Sequence, residues 1–283
     1  MRKVKIISDS TCDLNPETVK ALDIEIIPLI VLFGDKEYFD GQNITLEQLY
    51  ENVSTLKMLP RTAAISPAVF IERFKSFIDQ DYDIFFTGIG STLSGTYQAA
   101  MLAASEFPKG RIRIIDSLNL SSSSGLLVLR ACKLRDQGKS LDEIADAVQK
   151  LVPMVYCSFA VETLEYLYKG GRCSRTKFYI GTLLRAHPII KVTDGKLDVY
   201  KTPKGKMVKA LDELVEDFKK FLPNVDRDHI MITHSIAPEG EKYLVEELSK
   251  LVDPKCLMVT RAGCVIGSHC GPNTIGILFI RTK

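Results

Sequence analysis

The chain has 283 residues, of which 46% are hydrophobic and 25% are charged, a composition typical of globular proteins. A net charge of +2 is too small to indicate nucleic acid as a partner, and no stripe of basic and aromatic residues points to one. No apolar segment approaches the roughly 20 residues that span a bilayer, which argues against stable membrane insertion and leaves only transient membrane contact open. Because domains usually hold about 100 to 200 residues, we expect two of them.

The cysteines and the N-terminus indicate the cell compartment. The seven cysteines are odd in number and form no C-x-x-C pair, so we expect free thiols and no metal site. The basic N-terminus is followed by an apolar run that stops at Ser8, too soon for the core of a secretory signal. The sequence therefore predicts a cytoplasmic protein, which we expect to be a monomer.

The first half of the chain alternates strand and helix patterns. Strands are predicted at residues 4–7, 24–32 (interrupted by Pro28), 83–87 and 111–115. Helix starts are predicted at Asn15-Pro16, Thr45, Ser66-Pro67, Thr96 and Ser140, two of them from the capping boxes Thr45/Gln48 and Ser140/Glu143. Strands that are separated by helices pair in parallel through right-handed crossovers. We therefore predict a doubly wound, parallel-sheet α/β/α domain at residues 1–153.

Three polar loops follow strands of this predicted sheet, at residues 8–13, 88–95 and 116–124. Ligands of doubly wound sheets bind beyond the carboxyl ends of the strands, where these loops are expected to lie. The loops are rich in hydroxyl groups. The pattern predicts a ligand site there, with Ser10, Gly95, Ser117 and Ser121 as candidate ligand-adjacent residues.

The second half of the chain combines hairpin and helix patterns. Strands are predicted at residues 154–161, 188–192, 196–200, 229–234, 256–260 and 274–280. Helices are predicted at residues 162–169, 205–221 and 239–251. The dipeptide Asp194-Gly195 between two strand runs is a strong hairpin signal. We predict an α/β domain with a mixed sheet at residues 154–283.

Common catalytic motifs are missing. Ser94 lies in TLSGT, which is not the G-x-S-x-G elbow of many hydrolases, although a serine enzyme using Ser94 and His269 stays open because catalytic partners need not be close in sequence. Gly90 and Gly95 have phosphate-loop spacing, but Thr96 stands where a lysine is needed. His269 lies between glycines, in a segment that we interpret as a loop where backbone can approach a ligand closely.

Four segments in order resemble the DegV family: SDSTCDL at 8–14, LSGTYQ at 93–98, LEYLYKGGR at 164–172 and GSHCGP at 267–272. The resemblance implies two α/β domains with an apolar tunnel, between or within them, for a long-chain fatty acid such as palmitate, stearate or oleate. It also implies a non-catalytic role without a cofactor. The bound acid would be presented to a separate ATP-binding fatty acid kinase subunit, which phosphorylates the carboxylate. A lipid carrier without a kinase partner is the other alternative.

The resemblance assigns roles residue by residue. Thr62, Ser94 and His269 match the residues that bind the fatty acid carboxylate, and Arg172 matches an arginine that contacts the kinase subunit. The residues at 63–65 depart from the family pattern, because Ala-Ala-Ile replaces the usual Ser-Gln-Pro and removes two polar groups.

Each of these residues also has a purely structural interpretation. Thr62 could simply precede a helix, and Ser94 could cap the helix that begins at Thr96. Arg172 could be a solvated charge after a glycine cap, and His269 could bond only to backbone. The structure has to decide between these interpretations and a shared site.

Overall fold

The computed structural model describes residues 2–173 and 186–283 of the chain. These residues form thirteen strands in three sheets, together with ten α-helices. The strands are β1 (Val4–Asp9), β2 (Ile24–Ile27), β3 (Ile30–Phe33), β4 (Lys36–Phe39), β5 (Arg61–Ala63), β6 (Asp83–Thr87), β7 (Ile112–Ile115), β8 (Val155–Ala160), β9 (Ile189–Thr193), β10 (Lys196–Lys201), β11 (Val225–Ser235), β12 (Leu257–Arg261) and β13 (Thr274–Arg281). The helices are α1 (Pro16–Ala21), α2 (Leu46–Leu56), α3 (Pro67–Ile78), α4 (Thr96–Ala104), α5 (Ser122–Asp136), α6 (Leu141–Leu151), α7 (Glu165–Lys169), α8 (Met207–Phe221), α9 (Pro238–Ser249) and α10 (Cys264–Cys270).

The first sheet is parallel throughout, in the order β2-β1-β6-β7. Every residue of β1 is buried, as expected of a strand that is covered on both faces. Successive residues alternate between the two faces: Ile6 and Phe85 pack with α5 and α6, whereas Ile7 and Phe86 pack with α3 and α4. Helices therefore cover both faces, which confirms the doubly wound prediction.

The predicted strand at residues 24–32 is two strands in two different sheets. Pro28 and Leu29 separate them, and proline cannot donate a ladder hydrogen bond. After this break, β3 pairs antiparallel with both β4 and β5 in a small sheet that the sequence analysis did not predict. This small sheet carries Thr62.

The six-stranded sheet of the second half has the order β10-β9-β8-β13-β11-β12 and is mixed, as predicted. Only the β11–β12 pair is parallel within it. Asp194 and Gly195 both have positive φ, at 49° and 76°, in the turn that joins β9 and β10. Positive φ at both central residues is the geometry of the tight hairpin that this dipeptide predicts.

Helix α5 packs between the parallel sheet and the six-stranded sheet. Leu127 and Val128 lie in the core of the parallel sheet, whereas Leu126 and Leu129 lie in the core of the six-stranded sheet. Residues Ser122 to Leu129 are all buried, which explains why the helix lacks a polar face. Because α5 packs against both sheets, the division into domains between residues 153 and 154 stays a prediction.

Three features are absent from the residues that the structure describes. Across 2–173 and 186–283, no helix is both long and apolar enough to cross a bilayer. The same residues contain no group of three or more His, Cys, Asp or Glu side chains able to hold a metal ion. All seven cysteines lie in these ranges and are free thiols.

Candidate functional site

Thr62, Ser94, Arg172 and His269 line a single pocket, which we call the first pocket. The empty space between its lining atoms is about 520 Å³, a volume that includes open solvent. Apart from these four residues the lining is apolar or weakly polar: Leu29, Ala63, Ala64, Ile89, Leu93, Leu120, Leu167, Leu197, Val265, Ile266 and Cys270. The structure therefore brings together four side chains that are up to 207 residues apart in sequence, since Thr62 and His269 are separated by that number.

Thr62 reaches the first pocket from strand β5. Its register partner in β3 is Val31, which is fully buried, so the strand pair is anchored in the core. The Thr62 hydroxyl lies 2.7 Å from Nε2 of His269 and forms a hydrogen bond with it. The interpretation that Thr62 only precedes a helix is therefore incomplete, because its side chain contacts a second candidate residue.

His269 lies on helix α10, not in a loop as predicted. The flanking glycines suggested irregular backbone, but residues from Cys264 to Cys270 are helical. Burial, and to a smaller extent the positive charge of Arg172, lower the pKa of His269 to about 4. The imidazole is therefore neutral at neutral pH. Its Nδ1 is buried and, within the described residues, has no hydrogen-bond partner.

Ser94 lies in the loop between β6 and α4, which is held at several points. Ser91 N–H donates to the Asp116 carboxylate over 3.0 Å, and Gly90 N–H donates to the Asn119 carbonyl over 2.7 Å. Ser94 Oγ accepts from Thr96 N–H at 3.3 Å and lies 2.9 Å from Thr96 Oγ1. The capping interpretation of Ser94 is thus correct in part. If Thr96 donates to Ser94, the Ser94 hydroxyl hydrogen is free to bind a ligand oxygen.

Arg172 lies at the first pocket and not freely in solvent. It donates to the carbonyl of Gly170 over 2.7 Å and to that of Leu93 over 3.3 Å. Within the part of the chain that the structure describes, no carboxylate forms an ion pair with it. Burial lowers the pKa of its guanidinium, which still stays charged at neutral pH. An anion in the first pocket would lie near this charge.

A second pocket, of about 360 Å³ including open solvent, adjoins the first. Leu120, Ile266 and Cys270 line both. The other residues of the second pocket are Ser121, Cys157, Phe159, Thr233, His234, Ser235, Ala262, Thr274, Gly276 and Leu278. The three shared side chains place the two pockets next to each other, and the second pocket lies against the six-stranded sheet through Cys157, Phe159 and Leu278.

Four predicted ligand-adjacent residues do not reach the first pocket. Ser10 donates to Asp40 over 2.9 Å, Ser117 donates to the Gly88 carbonyl over 2.6 Å, and Gly95 lines neither pocket. Ser121 lines the second pocket, but its hydroxyl donates to Asp13. The hydroxyl groups of the three serines therefore form hydrogen bonds within the protein.

Several residues that shape the site carry no signal in the sequence. The apolar walls at Leu120 and Ile266 carry no motif and were missed. Gly170 was noted only as part of a glycine pair, although its lack of a side chain makes room for His269. A glycine close in sequence to a candidate binding residue, here Arg172, is the signal that could have identified it.

The chain is similar to proteins of one family along nearly its whole length. The family model of DegV, described as uncharacterised proteins, matches residues 3–282. A DegV domain-containing protein of Clostridium acetobutylicum is 34% identical over 283 residues, which cover 99% of each chain.

Two solved structures have the same fold. A DegV family protein from Thermus thermophilus, described in connection with fatty acid binding, has a TM-score of 0.92 and 30% identity, and the match covers 99% of this chain and 100% of that one. A protein from Eubacterium ventriosum, described as stearic acid-binding, has a TM-score of 0.87 and 27% identity, with coverage of 100% and 99%. The sequence match and the shared fold agree, and this chain belongs to the DegV family.

Proposed function

We propose that the protein binds a long-chain fatty acid, with the acyl tail in the two pockets and the carboxylate beside Thr62, Ser94 and His269. The observation that carries this proposal is the meeting of these three neutral side chains and Arg172 in the lining of an otherwise largely apolar pocket. The two solved relatives, which are described as binding fatty acids, support the same ligand class.

The tail supplies most of the affinity. Burying a methylene contributes roughly 0.8 kcal/mol, so a tail of about fourteen methylenes could gain on the order of 11 kcal/mol before the costs of ordering it. Leu120, Ile266 and Cys270 line both pockets, and a tail of this length would have to pass them. Tight binding therefore does not require an ion pair.

The head-group needs hydrogen bonds because it leaves water. The neutral His269 ring can donate from Nε2 to Thr62 Oγ1, which leaves the Thr62 hydroxyl hydrogen for a carboxylate oxygen. Ser94 can donate to the same carboxylate, and the nearby Arg172 charge favours the ionised form. Hydroxyl donors of this kind leave one carboxylate oxygen free, as attack on a phosphoryl group would require.

A non-catalytic role suits this geometry better than hydrolysis. A serine nucleophile needs a base within hydrogen-bond distance. Here His269 Nε2 is bonded to Thr62, and Ser94 Oγ is bonded to Thr96. In line with the DegV resemblance, we propose that the protein presents the acid, in the cytoplasm, to a separate ATP-binding kinase subunit that forms the acyl phosphate.

Native mass spectrometry of freshly purified protein, followed by lipid extraction, tests the binding proposal. We expect a mass increase equal to one long-chain fatty acid, lost on denaturation. An acyl group covalently attached to Ser94 would support the hydrolase instead, and protein that neither carries nor takes up palmitate would refute fatty acid binding. Incubation with ATP and a fatty acid kinase subunit tests the partner: acyl phosphate is expected, and its absence would leave a carrier.

A further inference from the structure

Three carboxylates are buried close to the proposed head-group site. Asp9, Asp13 and Asp40 are exposed by only 0%, 4% and 3%. In the described parts of the chain none of them forms an ion pair with a cationic side chain. A buried charge without a cation is costly unless hydrogen bonds replace those it makes with water. The partners of these carboxylates are therefore informative.

Asp9 holds the loop that leads to Ser94. Its carboxylate accepts from the N–H of Ile89 over 2.9 Å and from the N–H of Thr11 over 3.0 Å. Gly88 allows this approach, because a Cβ at that position would overlap Asp9 Oδ2. The start of the Ser94 loop is thus fixed to the end of strand β1.

Asp13 and Asp40 hold the N-terminus of helix α10. Asp13 accepts from the N–H of Gly263 over 2.7 Å, and Asp40 accepts from the N–H of Cys264 over 2.6 Å. These N–H groups have no partner within the helix, and a negative charge there is favourable. Gly263 also lacks a side chain, and a Cβ on it would lie 2.8 Å from Asp40 Oδ2. His269 lies at the other end of the same short helix.

Burial raises the pKa of all three carboxyl groups, and the hydrogen bonds described above oppose the rise. Apolar residues of similar size would avoid the cost of burying charge. A carboxylate, unlike an apolar side chain, fixes the position of the N–H groups that it accepts from. The arrangement is therefore better explained by positioning than by packing.

We infer that Asp9, Asp13 and Asp40 are positioning residues, which hold the Ser94 loop and helix α10 so that Ser94, Thr62 and His269 converge on the ligand carboxylate. This inference rests on the proposed function. It predicts that losing one of these carboxylates impairs recognition of the head-group more than burial of the tail.

The ratio of affinities for palmitate and 1-hexadecanol measures head-group recognition, because the two ligands have the same tail. Both are measured by displacement of a fluorescent fatty acid from the full-length protein. For Asp13→Ala and Asp40→Ala we expect this ratio to fall on the order of tenfold, as loss of a hydrogen bond to a charged group would cause. If the alanine variants do not fold, Asp13→Asn and Asp40→Asn, which keep one acceptor oxygen, are expected to lower it by a smaller, measurable factor.

Asp217→Asn is the matched control. Asp217 is also a buried aspartate, exposed by 2%, but it pairs with Lys201 and Lys220 and lines neither pocket. We expect it to lower the melting temperature without changing the affinity ratio. Folded Asp13 and Asp40 variants that keep the wild-type affinity ratio would overturn this inference but not the proposed function. Wild-type protein that fails to bind palmitate would overturn the proposed function, and the inference with it.

Discussion

Gly170 lies directly against the imidazole ring of His269. A Cβ at position 170 would overlap Nδ1 of His269 and would lie 3.0 Å from Cε1 of the same ring. It would also lie 2.9 Å from the Tyr166 carbonyl oxygen. The backbone φ of Gly170 is −72°, so alanine could adopt the conformation without strain. The space, not the backbone, requires glycine at this position.

Gly170→Ala should therefore displace His269 and shift the last turn of helix α7 slightly. We expect the bond between His269 and Thr62 to be lost, and with it the orientation of the Thr62 hydroxyl toward the ligand carboxylate. Palmitate affinity should then fall about tenfold, the effect of losing one hydrogen bond to a charged group. Displacement of a fluorescent fatty acid measures the affinity, and circular dichroism checks the fold.

Gly95→Ala provides the control for this substitution. An added Cβ at position 95 would meet only the Cβ of Ala64, at an ordinary 3.9 Å. We expect near-wild-type affinity for this variant. If Gly170→Ala binds palmitate as tightly as Gly95→Ala does, Gly170 is not needed for the position of His269.

Thr62→Val should weaken the site at its hydroxyl alone. Valine has nearly the same shape and suits strand β5, but it can neither bond to Nε2 of His269 nor donate to a carboxylate. We expect palmitate affinity to fall by about 10- to 100-fold, or roughly 1.5–3 kcal/mol, and acyl phosphate formation to fall with it. Binding of 1-hexadecanol should change much less.

Thr62→Ser retains the hydroxyl and is the matched control. It should keep palmitate affinity within a few-fold of wild type. Equal loss in the serine and valine variants would mean that the methyl group, and not the hydroxyl, supports binding.

The elements that depend on local sequence were the ones that could be predicted. The capping boxes at Thr45 and Ser140 form as expected, and the Asp194-Gly195 hairpin has its expected positive φ values. Asn15 occupies its predicted N-cap position, but its side chain donates to the distant carbonyl of Val259 instead. Tertiary contact overrides the local preference there.

Helix α10 could not be predicted because its stabilising partners are remote. Its first N–H groups bond to Asp13 and Asp40, which are 250 and 224 residues away from their partners. Its glycines by themselves favour a loop. The candidate residues Thr62, Ser94 and His269 followed from the family resemblance, whereas the pocket walls depend on packing that no single segment specifies.

Protonation of His269 should make the protein less stable in acid. Its pKa in the fold is about 4, below the unfolded value near 6.5, so the unfolded chain binds this proton first as the pH falls. The contribution of neutral His269 to the free energy of unfolding is fully present above pH 6.5, decreases between pH 6.5 and pH 4, and is lost below pH 4. At pH 5 the loss should be about 2 kcal/mol. Urea unfolding at pH 7.5 and pH 5 measures it.

His269→Gln isolates this effect from other titrating groups. Burial raises the pKa of Asp9, Asp13 and Asp40, which has the opposite consequence for stability, but these groups are present in both proteins. The difference in the free energy of unfolding between wild type and variant should therefore change by about 2 kcal/mol between pH 7.5 and pH 5. Parallel pH dependence in both proteins would contradict a depressed pKa at His269.

Ile266→Trp should close the passage between the two pockets. Ile266 is 6% exposed and lines both of them, so an indole ring there would occupy space that a tail extending through both pockets needs. Overpacking of this kind costs about 1–3 kcal/mol of stability, which thermal melting will register. The loss of several buried methylenes, at roughly 0.8 kcal/mol each, should lower palmitate affinity well over tenfold.

A short acid separates blockage of the tail from damage to the head-group site. Octanoate, whose shorter tail buries fewer methylenes, should lose much less affinity than palmitate on going from wild type to Ile266→Trp. Leu102→Trp adds the same bulk at a position that is 59% exposed on α4, and it should leave both ligands unaffected. Unchanged palmitate binding by a folded Ile266→Trp variant would show that the acyl tail does not run from the first pocket into the second.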